Sequence, residues 1–447
     1  MLKTDKIAII GYGEEGKAVY EYLTRHGFKD ITICDQKGDG GMKGGRGLGL
    51  PVGAKKRLGP DYLKNLADFD VIFRSPGVSV LKPEIAAARQ KGAEVTSATK
   101  YFFEKCPCKI VGVTGTKGKG TTASLIWEMG KGGRRQFFLG GNIGVVAIEF
   151  LDKLAARDIV ILELSSFQLQ DLDKSPHIAV VLNTTSEHLD YHKNVREYLE
   201  AKEAIVKYQK AGDYAIFNKD YLYWKKYAKL TAAKKIFVSA KDVKKKFGEI
   251  EIALPGHHNL ENIAAAVVVA EILKVPVSRM REVLKTWHGL EHRLEFVAEI
   301  RGAKYYNDSF ATTPDSTIAA IKSFPKNNLI LIAGGSEKFA DYKKLGEEIV
   351  RQKNLRVVIL IGQTGPRIED AILKAEKRLN AAARRMRHLT VIRRDDFEDA
   401  VLEAYVRAGR DWVVVMSPAS ASFDMFKNYK ERGKKFREIV KSFDPLL

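Results

Sequence analysis

The stretch Gly112 to Thr122, GVTGTKGKGTT, carries the residue types that hold a polyphosphate. A short apolar run, Ile110 and Val111, enters it, and a helical pattern from Ala123 to Met129 leaves it. A strand feeding a glycine-rich turn into a helix N-terminus points successive backbone N–H groups and the positive helix end at one spot. Lys119 adds an ammonium there. The spelling is not the usual G-x-x-x-x-G-K-[ST]: five residues separate Gly112 from Gly118, and Gly120 follows the lysine. Thr121 or Thr122 must therefore supply a hydroxyl for Mg²⁺. A solvated basic turn is the bland alternative. Downstream, 158–164 (DIVILEL) reads as a buried strand ending in Glu163, and the loop after a strand at 178–182 holds Glu187, His188, Asp190 and His192. Glu163 and His188 stand where a metal beside a triphosphate would be met, although each residue type serves more often as a plain hydrogen-bonding group.

A second constellation opens the chain. KIAII (6–10) leads into GYGEEG, Gly11 to Gly16, and a strand at 31–34 ends at Asp35, 19 residues beyond Gly16. Glycines for the turn and an acid for a ribose hydroxyl form a dinucleotide-binding layout, which specifies a nucleotide without specifying which. Taken alone it suggests an NAD-dependent dehydrogenase. That reading leaves Lys119, Glu163 and His188 without a task, and nicotinamide turnover would reveal it.

These residues need sheets to position them. A strand at 70–73 closes on Ser75-Pro76-Gly77, and the αβ pattern runs to Ser97, where a first domain ends. A second, 98–289, starts with the strand before the glycine-rich loop; it includes a helix from Val195 to Tyr208 carrying Lys202, and LPGHHNLENIAAA (254–266) leading a helix to Leu273. Glu291-His292-Arg293 opens a third, 290–447. There Tyr305 to Asp308 is a strand end, Pro314 starts a helix, and the runs 329–333, 357–361 and 412–416 lead into Gly334-Gly335, Gly362 and Ser417-Pro418. Strand after strand ends in small or polar residues, the mark of α/β, doubly wound sheets with the ligand face at the strand ends. Gly38 to Gly53 reads as a mobile glycine-rich loop. No repeat of solenoid length recurs.

Composition sets the outer bounds. A chain of 447 residues suggests two to four domains, and 45% hydrophobic with 29% charged residues is ordinary for a globular protein. MLKTDKIAIIGYG runs straight into a strand, unlike a signal peptide, and the longest apolar stretch, 263–270, is too short to span a membrane. A cytoplasmic protein is expected. Cys34, Cys106 and Cys108 agree with a reducing compartment and lack zinc-site spacing. The net charge of +20 comes from scattered runs such as 241–246 (KDVKKK), which read as solvated faces that also favour anionic substrates. No nucleic-acid motif accompanies the charge, so nucleic acid is not an expected partner; ATP hydrolysis stimulated by DNA or RNA would reverse that.

Taken together, GYGEEG, SPG, GVTGTKGKGTT, GGNIG (140–144), ELSSFQL (163–169), NTTSEHLDYH, LPGHHNLEN, EHRLE, NDSFATTP, GGSEK (334–338) and SPASASFDMFKNYKERG resemble the Mur ligase family nearly end to end. SSFQL, GGNIG and the closing segment resemble its D-glutamate-adding members. The resemblance implies three domains: an N-terminal Rossmann-like domain for a UDP-sugar, a central P-loop ATPase-like domain, and a C-terminal Rossmann-like domain for the amino acid. It implies ATP-dependent amide ligation through an acyl phosphate in peptidoglycan precursor synthesis, by a monomer, with UDP-N-acetylmuramoyl-L-alanine and D-glutamate as substrates.

By the same resemblance Gly115, Thr116, Lys117, Gly118, Lys119, Gly120 and Thr121 serve the phosphates, with Asn259, Arg293 and Asp308 on the nucleotide. Thr121, Glu163, His188 and a carbamylated Lys202 would hold two Mg²⁺ ions, with Lys119, His188 and Lys202 the catalytic set. Glu14, Glu15, Asp35, Gln36, Ser75, Gly77, Asn142 and Gln168 match the UDP-substrate seat, and Thr312, Lys338, Ser422 and Tyr429 the amino-acid seat. Three residues depart from the family pattern: Lys117 in place of Asn, Gly120 directly after the lysine, and Phe310 where D-glutamate ligases carry a lysine. Gly120 is a spelling similar to folylpolyglutamate synthases, the alternative ligase reading; those lack a nucleotide domain before the P-loop, and here about 100 residues precede it.

Overall fold

The computed structural model describes residues 1–38, 49–133, 135–184, 194–221, 223–250, 252–380 and 389–443. The glycine-rich loop expected at 38–53 falls mostly outside them, as does the loop with Glu187, His188, Asp190 and His192. The chain forms two compact units: Met1–Gly248 with Leu260–Met280, and Glu249–Asn259 with Arg281–Leu447.

The first unit holds two parallel sheets. β1 (Ile7–Ile10), β2 (Ile31–Asp35), β3 (Lys55–Leu58), β4 (Val71–Arg74) and β5 (Glu94–Thr96) assemble in the order β3-β2-β1-β4-β5. β6 (Lys109–Thr114), β7 (Phe137–Gly141), β8 (Ile159–Glu163), β9 (Ile178–Val181), β10 (Tyr214–Asn218) and β11 (Lys234–Val238) assemble as β11-β10-β9-β6-β8-β7. Their central strands are buried on both faces, which is why they read as unbroken apolar runs. The second unit holds β12 (Glu295–Ile300), β13 (Ala303–Asn307), β14 (Leu329–Gly334), β15 (Leu355–Ile361), β16 (Thr390–Arg393) and β17 (Val413–Met416), ordered β12-β13-β17-β14-β15-β16. Among the described residues its strands pair in parallel except β12 with β13, which are antiparallel.

Each order reverses direction at one place: between β1 and β4, around β6, and between β14 and β17. Loops leaving a sheet on either side of such a reversal diverge and open a crevice beyond the strand ends. That topology fixes where ligands can bind before any side chain is considered.

One hydrophobic core runs through both sheets of the first unit, from Ile7 and Phe73 to Val160 and Leu162, with Phe102 and Phe150 packed edge to face at 5.7 Å. A polar lock crosses the same boundary. Arg74, at the end of β4, is 1% exposed. It donates to Asp171 Oδ2 at 2.9 and 3.0 Å, to Phe167 O at 3.0 Å and to Val78 O at 2.8 Å. The helix expected over 195–208 is two: Val195–Ala201 and Ala204–Lys207, with Lys202 as C-cap of the first. Its apolar pattern continues through the break, so periodicity alone read it as one element.

Arg74→Ala removes the cation paired with Asp171 and the donor to the Ser75, Val78 and Phe167 carbonyls, and removing one partner of a buried ion pair costs about 3–5 kcal/mol. Urea melts of this variant are expected to show a loss of that order; a change under about 1 kcal/mol would mean that the lock carries no stability.

Candidate active site

Glycines set the backbone of the loop after β6, the candidate anion cradle. Gly118 caps the helix Lys119–Gly130 at φ +86°, and a Cβ there would lie 2.2 Å from Asn262 Oδ1. Gly115 sits at φ +155°, where a Cβ would meet Leu182 at 2.8 Å. Both positions therefore require glycine. Thr116 N–H donates to Asn183 O at 2.6 Å, fastening the loop to the end of β9, and its hydroxyl lies 3.1 Å from Tyr198 Oη. Lys119 folds over the loop, its Nζ donating to Gly115 O at 3.1 Å and Thr116 O at 3.0 Å.

The acid comes from the neighbouring strand. β6 and β8 pair with Val113 opposite Glu163, which sets this buried carboxylate beside the start of the loop. Asn142 Nδ2 donates to Glu163 Oε1 at 3.2 Å. Lys202 is 1% exposed, with Nζ 3.4 Å from both Thr114 Oγ1 and Gly115 O and 4.8 Å from the Tyr198 ring centroid. Thr121 is buried in the first turn of the helix. The structure thus brings Lys119, Thr121, Glu163, Lys202 and Asn142 to the end of β6. His188 lies outside the described residues.

The crevice between β1 and β4 gathers the second set. Gly11 turns at φ +87°, and Ser75 Oγ donates to Gly11 O at 2.5 Å. Asp35 accepts from Tyr12 N at 2.6 Å and Lys37 N at 2.8 Å, so its carboxylate braces the glycine turn against the end of β2. Gln168 Nε2 donates to Glu15 Oε1 at 2.6 Å, linking this crevice to the turn that follows Glu163. Glu15 Oε2 is buried without a hydrogen-bond partner among the described residues, and burial pushes the carboxyl up to about 7. Glu14 opens the helix Glu14–Arg25 that leaves the glycine turn, Gly77 follows Ser75 on the loop after β4, and Gln36 directly follows Asp35.

In the second unit the loops after β14 and β17 are stitched together. Ser336 N–H donates to Ala421 O at 2.9 Å, and Gly334 N–H to Pro418 O at 2.8 Å. Lys338 leaves the first loop and lies 5.6 Å from the Phe423 ring centroid; Ser422 is buried in the second. Arg432, 1% exposed, donates to Ser309 Oγ and O, Ser420 O and Ala421 O at 3.0–3.1 Å. Burial lowers its pKa to about 10, which still leaves it charged at neutral pH. Asp308 follows β13, accepting from Ser417 Oγ at 2.7 Å and Leu294 N at 3.2 Å, with burial raising its carboxyl to about 7. Arg293 lies over the Phe310 ring at 3.9 Å, and Phe310 meets Tyr429 edge-on at 4.9 Å. Thr312 adjoins this group, its N–H donating to Phe310 O. Asn259 Nδ2 donates to Pro255 O at 2.7 Å, fixing it at the head of its helix.

Comparison with known proteins decides the lineage. Residues 5–97 match the Mur ligase MurD-like N-terminal domain, 113–247 the Mur ligase middle domain, and 292–420 the Mur ligase glutamate ligase domain. The UDP-N-acetylmuramoylalanine–D-glutamate ligase of Acetivibrio thermocellus is 40% identical, the alignment covering 99% of this chain and 97% of the relative. Its counterpart in Ruminiclostridium cellulolyticum is 36% identical over 98% and 97%. The chain belongs to the Mur ligase family. The Mur ligase fold is matched over 98% of the chain by MurC of Thermotoga maritima (99% of that chain, TM-score 0.56, 18% identity). It is matched again over 98% by MurF of the same organism in complex with ADP (95% of that chain, TM-score 0.58, 16% identity).

For a Mur ligase, the donors beside the glycine loop suit a hard divalent cation. Glu163 and the Thr121 hydroxyl offer oxygen donors, and Mg²⁺ typically takes one or two carboxylates and completes its shell with phosphate and water. Arg74, Asp171, Arg432 and Tyr198 went unremarked in the sequence as site-builders. Lysine- and arginine-rich surroundings disguise such residues as solvated charge, and only a strand-end position hints otherwise for Arg74.

Asp308 also makes a pH prediction. Its folded-state pKa, about 7, lies above the ordinary 3.8, so between those values the folded protein holds a proton that the unfolded chain has released. Stability therefore declines as pH rises from about 4 to about 7. Urea midpoints measured at pH 5 and 7 are expected to fall less in Asp308→Asn than in the wild type; equal falls would contradict the assignment.

Proposed function

We propose that this protein is an ATP-dependent amide ligase that joins D-glutamate to UDP-N-acetylmuramoyl-L-alanine in peptidoglycan precursor synthesis. The observation that carries the reading is the end-to-end 40% identity with a ligase of that name. The cradle geometry supplies the chemistry. A free carboxylate is a poor electrophile; transfer of the γ-phosphoryl group to the muramoyl-alanine carboxylate creates an acyl phosphate with a good leaving group. The glutamate amine attacks the carbonyl carbon, the tetrahedral adduct collapses, and phosphate departs with the C–O bond electrons.

The chain's work is to hold two anions together and screen them. Gly115, Thr116, Lys117, Gly118, Lys119 and Gly120 cradle the triphosphate, and Asn259, Arg293 and Asp308 bind the rest of the nucleotide. Glu14, Glu15, Asp35, Gln36, Ser75, Gly77, Asn142 and Gln168 seat the UDP-sugar. Thr312, Lys338, Ser422 and Tyr429 receive glutamate, its acidic side chain being read without a lysine at position 310. Thr121, Glu163, His188 and Lys202 would hold two Mg²⁺ ions. Bound Mg²⁺ supplies charge neutralisation and Lewis-acid polarisation of phosphoryl oxygens. The enzyme acts as a cytoplasmic monomer without nucleic acid; among the described residues no helix is long and apolar enough to cross a membrane.

Lys202 acts as a carbamate. Its amine is buried beside the cradle, 3.4 Å from Thr114 Oγ1 and from Gly115 O. A neutral amine forms an N–C bond to CO₂ and releases a proton to solvent, becoming an anionic carbamate whose oxygens suit Mg²⁺. Phosphate release with UDP-N-acetylmuramoyl-L-alanine is expected to be greatest with glutamate in an amino-acid panel, with D-glutamate ahead of its enantiomer. Preference for an uncharged amino acid would overturn the substrate and leave the ligation. Lys202→Ala is expected to lose activity that bicarbonate does not restore and that acetate or formate restores in part; full activity in the variant would exclude the carbamate.

A further inference from the structure

We infer that Phe310 is the positioning residue for Arg293, seating the guanidinium that meets the nucleotide; the inference rests on the ATP-dependent ligase reading. The segment around Arg293 is held in an unusual shape. His292 and Leu294, on either side, both adopt left-handed backbone at φ +63° and +46°. Such residues cost energy and persist only where their surroundings over-determine them. Here the surroundings do so: His292 N–H donates to Glu295 Oε2 at 2.8 Å and Leu294 N–H to Asp308 Oδ1 at 3.2 Å. Phe310 N–H donates to His292 O at 3.0 Å. The backbone of Phe310 thus braces the strained turn whose side chain its ring receives.

The ring itself is not core. Phe310 is 39% exposed, and the contacts that orient it are the Tyr429 edge at 4.9 Å and the Arg293 guanidinium at 3.9 Å. The ring attracts the cation through its face, with the guanidinium carbon 3.9 Å from the ring centroid. A lysine at 310 would instead repel Arg293, and an aliphatic residue would remove the cation–π contact.

The test is calorimetric binding of a non-hydrolysable ATP analogue with Mg²⁺ to the full-length wild type, Phe310→Leu, Phe310→Trp, Arg293→Ala and the Phe310→Leu/Arg293→Ala double variant. Phe310→Leu is expected to weaken binding about fivefold, the order of a part-exposed cation–π contact, while Phe310→Trp stays within about twofold of wild type. In the Arg293→Ala background, Phe310→Leu is expected to add nothing. Wild-type affinity in Phe310→Leu, an equal loss in Phe310→Trp, or an undiminished effect without Arg293 would each overturn the inference and leave the ligase reading standing. A wild-type protein that binds no triphosphate analogue would overturn both.

Discussion

Loops that turn sharply at a strand end leave carbonyl oxygens facing inward, and a buried carbonyl needs a donor. In this protein the donors are cations. Arg74 serves Val78 and Phe167, Lys119 and Lys202 serve Gly115 and Thr116, and Arg432 serves Ser309, Ser420 and Ala421. Each set lies where its sheet reverses strand order. The crevices that parallel-sheet topology opens are thus lined by turns whose polar cost is met by a positive charge. A fold built to hold anionic substrates gains twice, since the charges that satisfy the loops also contribute to the field in the clefts.

The turn after β8 joins two of these crevices. Glu163 ends the strand; Ser165 caps the short helix Ser166–Leu169 in a reciprocal box with Gln168; Gln168 reaches Glu15; Asp171 and Phe167 O receive Arg74. Glu163 and the crevice of the first sheet are therefore separated by one short turn, pinned by these hydrogen bonds. Placement on a rigid element of this kind is what holds reacting groups in register.

The sheets were legible in the sequence because strands buried on both faces leave unbroken apolar runs, as in 159–163 and 329–333. Gly115 and Gly118 were legible because only glycine tolerates their backbone. Arg74 was not, since its partner Asp171 lies 97 residues away and no local pattern links them. Arg432 sits in the helix Tyr429–Ser442 among lysines and glutamates that look uniformly solvated. The break at Lys202 was hidden because the apolar pattern runs through it. What sequence conceals here is polar burial, which depends on distant backbone rather than on periodicity.

Lys119 rests on two loop carbonyls. An arriving anion must outbid both before it gains the ammonium. On the proposed ligase reading, the resting contact is a threshold: a triphosphate that reached the loop would have to offer the ammonium a replacement for both carbonyls.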